Sequence, residues 1–132
     1  MLVEPSSPNA LAAPDDRVTQ LIKQSLQEIG RTYDVGEVAV LSITAVQLAV
    51  VLPDCERRQA VALANEAIAH VASLAEGENA TQTVHTATLS AGVATVAAVP
   101  KNFDPWRLVE SAERCLYAAR SCSNNAVKSI EI

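Results

Sequence analysis

Between Glu37 and Asp54 the chain carries no charge and closes on a proline: Val38-Ala-Val-Leu-Ser-Ile-Thr-Ala-Val-Gln-Leu-Ala-Val-Val-Leu-Pro53. A stretch this rich in β-branched and aliphatic residues forms strand, and Pro53 cannot continue a ladder. It is too long for one strand. The polar interruption at Ser42–Thr44 predicts a hairpin of Val38–Ile43 and Gln47–Leu52. Because both faces are apolar, the hairpin is expected in the middle of a sheet, covered by helices.

The rest of the chain supplies those helices. Residues 1–14 hold Pro5, Pro8 and Pro14 among Ser, Asn and Ala, and read as a linker or N-terminal arm, with Met1–Glu4 at best a short edge strand. Asp15 or Asp16 caps a first helix with an apolar stripe of Val18, Leu21, Ile22, Leu26 and Ile29, and Gly30 is expected to end it. Asp54 is the expected cap of a second helix reaching Leu74, with Val61, Ala64, Ile68 and Val71 inward. The Thr- and Val-rich run 81–99 reads as one strand, or as two joined near Gly92. Asp104-Pro105 starts a third helix, with Trp106, Val109, Ala112, Leu116 and Ala119 inward. Ala126–Ile132 closes as a final strand. The order is α-β-β-α-β-α-β, which becomes β-α-β-β-α-β with an appended α-β if the first residues form a strand. Either is an α+β, ferredoxin-like sandwich: a mostly antiparallel sheet flanked by helices, with its first strand missing or very short. Residues 15–132 are read as the domain.

Composition narrows the partners. At 132 residues the chain makes one core without staples, built from Ala, Val, Leu and Ile because aromatics are scarce. A formal net charge of −5 with scattered Lys and Arg argues against nucleic acid. No apolar run reaches membrane-spanning length and no signal-peptide pattern appears, so a cytoplasmic domain is expected. Cys55, Cys115 and Cys122 form no CxxC and are expected as buried or half-buried thiols. His70 and His85 have no ligand-spaced neighbours, so no metal site or cofactor is expected. No nucleophile–base motif or P-loop is present.

Three segments then fall in one register. Ala49-Val-Val-Leu-Pro53-Asp54 with its Ala-rich helix, Thr88-Leu-Ser90-Ala-Gly92-Val-Ala94, and Leu108-Val-Glu-Ser-Ala112-Glu113-Arg-Cys-Leu116-Tyr117-Ala-Ala119-Arg120 with Asn125 and Val127 behind it resemble GGDEF domains, the diguanylate cyclase family. The last segment resembles the family's A-D-x-A-L-Y-x-A-K-x-x-G-x-N-x-V. Glu113 stands for its Asp, Cys115 for Ala, Arg120 for Lys and Ser123 for Gly. The resemblance runs from about Asp16 to the C-terminus and implies a nucleotide-cyclase-like sandwich.

The departures bear on activity. The family's signature falls where this chain has Thr44, Ala45, Val46, Gln47 and Leu48. Side chains on Thr44 and Ala45 fill space that the family's glycines leave for a nucleotide. Val46 and Gln47 cannot replace a carboxylate that holds a hard cation. The family's other metal-binding Asp ends the first strand, and Glu4 is the only acidic residue here before Asp15. The resemblance therefore implies a degenerate, catalytically inactive domain, because phosphoryl transfer needs those metal ions. Arg120 corresponds to a Lys that reaches phosphate, whereas Asn124 stands where a second basic residue is expected. Arg31-Thr-Tyr-Asp34 has the R-x-x-D form of the family's inhibitory site for cyclic di-GMP, although nine residues separate Asp34 from Thr44 instead of five. The plain reading of Arg31 is a cation favouring a helix C-terminus.

Three functions follow: a regulatory or protein-interaction module, a receptor for cyclic di-GMP or a guanine nucleotide through Arg31, Asp34 and Arg120, or an unrelated ferredoxin-like dimerisation domain. A missing first strand would bare a sheet edge, so a homodimer is expected on that ground.

Overall fold

The computed structural model describes residues 1–6, 16–33, 38–43, 47–76, 88–122 and 125–132. Among the described residues eight elements follow in chain order: β1 (Leu2–Ser6), α1 (Asp16–Thr32), β2 (Ala39–Ser42), β3 (Leu48–Val51), α2 (Arg57–Glu76), β4 (Thr88–Thr95), α3 (Pro105–Cys122) and β5 (Val127–Glu131). The strands form one sheet in the order β2-β3-β1-β4-β5. β1 is antiparallel to both β3 and β4, β2 is antiparallel to β3, and β5 lies parallel to β4. This is the interleaved β-α-β-β-α-β of a ferredoxin-like sandwich, extended by α3 and β5.

The first strand is therefore not missing, and it is not at an edge. It is the middle strand of the five, and Leu2 and Val3 are buried. A proline lacks a donor and is ordinarily confined to an edge strand. β1 pairs with β3 only at Leu2 and Val3, so Pro5 lies beyond that ladder. On its other side Pro5 faces Leu89, whose N–H donates instead to Asn125 Oδ1 at 2.9 Å, away from β1. The argument for a dimer from an absent strand lapses with this result. The hairpin is displaced correspondingly: β2 is the sheet's edge, not its middle, and Leu41 and Val51 are exposed. Ile43 N–H donates to the Gln47 carbonyl at 3.0 Å, so the chain turns after Ile43.

Alternation along the strands divides two cores. Val3, Leu48, Val50, Leu89, Ala91 and Val93 face α1 and α2, whose Ile22, Leu26, Ile29, Leu63, Ala67 and Val71 complete the larger core. The side chains of Val18 and Leu21 lie outside the description. Leu2 and Ala94 face the other way and meet Ala112 and Leu116 of α3.

Gly30 does not end α1. It is buried within the last turn, where an added Cβ would lie 2.5 Å from Val38 Cγ2. Space, not chain reversal, requires it. Nor does Asp54 cap α2: it takes a left-handed φ of 50° in the preceding turn. Glu56 is the cap, and its N–H donates to Gln59 Oε1 at 3.0 Å, half of a capping box. β4 runs unbroken through Gly92.

α3 begins as its sequence predicts. Asp104 Oδ1 accepts from Trp106 N–H at 3.1 Å, and the Asp104 carbonyl accepts from Arg107 N–H. Asp104→Ala is expected to cost ~1 kcal/mol in urea unfolding, the usual worth of such a cap. Trp106, expected inward, is 70% exposed, because the buried stripe of α3 is Ala112, Leu116 and Ala119.

Candidate functional site

The end of the sheet that carries the hairpin turn also carries the C-terminal end of β1 and the N-terminal ends of β3 and β4. Glu4 lies there on β1, opposite Ser90 of β4, and both are buried. Alternation puts Glu4 on the same face as Leu2, the face covered by α3. From the last turn of α3, Arg120 reaches in and places Nη1 2.7 Å from Glu4 Oε2. That oxygen has no hydrogen-bond partner of proper alignment, so charge rather than bond direction holds the contact. The side chains differ sharply in exposure, 9% for Glu4 and 55% for Arg120.

The hairpin positions bring no carboxylate to this end. Leu48 is 2% exposed and belongs to the larger core, and Gln47 is half-buried at the foot of β3. Thr44, Ala45 and Val46 lie outside the described residues, and their side chains hold no carboxylate in any case. Among the described residues, no three His, Cys, Asp or Glu side chains converge as metal ligands. The fold family implies a divalent metal here, but these residues do not fit one: the acid on β1 is buried against a guanidinium.

Arg31 lies elsewhere. β1 and β2 run parallel with β3 between them, so α1 returns the chain to the far end of the sheet before β2 starts. Arg31, exposed in the last turn of α1, is thus at the end opposite Arg120, and the two do not form one site. Asp34 lies outside the described residues. Tyr33, between them in sequence, packs against the larger core, and a hydrogen bond to the Glu66 carboxylate raises its hydroxyl pKa.

Asn125 takes a left-handed φ of 59° and uses its side chain to engage Leu89 N–H, while the Ala126 carbonyl accepts from Ala91 N–H at 3.0 Å. It starts the β4–β5 ladder. Gly92 works from the opposite side: an added Cβ would collide with Ala112 O and Leu116 N, so α3 rests its backbone on the strand there.

The GGDEF model, described as the diguanylate cyclase GGDEF domain, matches residues 13–126. The chain belongs to the GGDEF domain family. The fold agrees: it superposes on the active GGEEF domain of a diguanylate cyclase from Vibrio cholerae with a TM-score of 0.73, at 14% identity, covering 97% of this chain and 80% of that one. No curated protein gives a significant match. The family match starts after β1, and residues 2–6 supply the middle strand of this chain's sheet.

The remaining candidates contribute little to this GGDEF domain's site. Cys55 and Cys115 are half-buried, with burial pushing both thiols up, while Cys122 is exposed, contrary to expectation. His70 is exposed on α2, and His85 lies outside the described residues. Among the described residues no helix is long and apolar enough to cross a membrane. Sequence reasoning missed the Glu4–Arg120 pair, because residues 116 positions apart gave no local pattern. Glu4 had been noted only as the lone acid near the start.

Proposed function

We propose that this GGDEF domain is catalytically inactive and serves signalling as a regulatory or protein-interaction module. One observation carries the reading: the acid on β1, where a metal-binding carboxylate would be needed, is buried against Arg120. The hairpin sequence agrees, with Thr44, Ala45, Val46, Gln47 and Leu48 in place of glycines and carboxylates. Without hard-cation ligands, developing charge on a phosphoryl group has nothing to stabilise it. Incubation with GTP and magnesium, followed by chromatography of the nucleotides, is expected to return GTP unchanged. Formation of cyclic di-GMP would overturn the reading.

An interaction role is supported by the open part of the sheet. Among the described residues, α3 covers β4, β5 and part of β1 and meets β3 at Ala49, while Leu41 of β2 and Val51 of β3 stay exposed on that face. β2 is an edge strand with no charged residue, and so lacks the usual protection against pairing. A protein partner or a second copy fits such a surface.

A second reading, a receptor for cyclic di-GMP, is favoured by Arg31, which is exposed in the last turn of α1. Arg120 is a separate candidate contact for phosphate, at the other end of the sheet. Calorimetric titration with cyclic di-GMP tests the first of these. If the receptor reading holds, Arg31→Ala weakens binding by about tenfold or more, the loss of a charge-assisted contact. No binding by the unsubstituted chain removes that reading and leaves the interaction module.

A further inference from the structure

Arg120 and Glu4 differ in what they can do without each other. Glu4 is held inside the sheet–helix layer, where an unpaired carboxylate is costly to leave. Arg120 is more than half exposed, and its guanidinium carries more N–H donors than the Nη1 contact with Glu4 can use. Removing the cation strands a buried charge. Removing the acid frees a cation at the end of the sheet where β1 ends.

We propose that Glu4 is an internal counter-anion: it holds Arg120 and withholds that guanidinium from phosphate-bearing ligands. This rests on the reading of Arg120 as the contact an anion would use, and adds what controls it. A phosphate approaching Arg120 meets a cation already neutralised at 2.7 Å, so attraction to the incoming charge is offset by the fixed carboxylate. Drawing Arg120 outward would leave Glu4 unpaired. Ser90, across the ladder from Glu4, carries no charge to compensate. Among the described residues, neither member of the pair has another ion-pair partner.

A strut that only stabilises the fold and a counter-anion that blocks binding differ in one readout. The test titrates the whole chain with inorganic pyrophosphate at low salt, by calorimetry, in the unsubstituted form and as Glu4→Gln, Arg120→Ala and the double variant. Glu4→Gln is expected to bind at least about tenfold more tightly than the unsubstituted chain, the change that follows from removing ~1.4 kcal/mol of competition. The gain is expected to vanish in the double variant. Equal affinity of Glu4→Gln and the unsubstituted chain overturns the proposal, and so does a gain that survives loss of Arg120. Should Glu4→Gln fail to fold, Glu4→Asp serves. It keeps the charge but withdraws it by one methylene, and is expected to bind more tightly than the unsubstituted chain; no gain there also overturns the proposal. Arg31 stands at the other end of the sheet, so a negative cyclic di-GMP titration leaves the pyrophosphate comparison intact.

Discussion

Gly92→Ala is expected to destabilise the domain by about 3 kcal/mol or more, read as a lowered urea midpoint, since overpacking against an unyielding neighbour lies at the upper end of such effects. The new methyl group would meet the carbonyl of Ala112 and the amide nitrogen of Leu116, which are backbone atoms of α3. A side chain can turn away from such a collision, but a helix backbone must move as a whole. Lifting α3 would also part Leu116 and Ala112 from Leu2 and Ala94, dissolving the smaller core. Gly30→Ala makes the contrast. Its Cβ meets only the Val38 side chain, and alanine is the better helix former by about 1 kcal/mol, so the two effects oppose each other. An unaltered midpoint in Gly92→Ala would mean that α3 does not rest on β4 at this point.

The second large effect is a dependence of stability on pH between 6 and 8. The α-amine of Met1 donates to the Val50 carbonyl at 2.9 Å, and burial lowers its pKa from 8.0 to about 6, with the neighbouring Cys55 opposing that shift. The unfolded chain then binds more protons than the folded one across this window, so stability rises as pH increases. A shift of this size corresponds to about 2–3 kcal/mol gained from pH 6 to pH 8, with plateaus on either side. Cys55 and Cys115 act in the opposite sense at higher pH. Their raised thiol pKa values favour the folded state below about pH 9 and cease to do so as the folded thiols ionise. Urea unfolding across pH 5.5–9, with the Met1 amine free and then acetylated, checks this as an expectation of about pH 8 for greatest stability. A slope between pH 6 and 8 that survives acetylation would assign it to another group.

The helices were legible because their determinants are local. Asp104 and Pro105 announce α3, and the 3.6-residue spacing of Ile22, Leu26 and Ile29 marks the inward face of α1. The hairpin was legible as two strands but not as an edge, since an apolar sequence does not say which strand will lie beside it. Trp106 misled for a related reason. Its size suggested burial, whereas the close seat of α3 on Gly92 admits only the small Ala112 and Ala119 and the single Leu116. β1 was the largest miss. A proline normally demotes a strand, and only the short β1–β3 ladder, ending at Val3, explains why this one does not. At the site, the sequence registered the altered hairpin and the lone acid. It could not reveal that Glu4 and Arg120 meet, because that contact depends on where α3 crosses the sheet.

The central place of β1 also sets an order of events. Leu2 pairs with Gly92, ninety positions later, so β1 must wait for a strand made long after it before that ladder closes. Such long-range pairing slows folding, because a large loop must be closed before any contact compensates for it. Until then β1 can pair with β3 but its β4 side stays open, and Leu2 lacks Ala94, Ala112 and Leu116 to pack against. During synthesis that interval lasts while roughly ninety residues are added, about 5–20 s at the usual pace. Through that interval the middle strand of the sheet stands with one side unpaired, the stage at which a chaperone or a stray strand would find it.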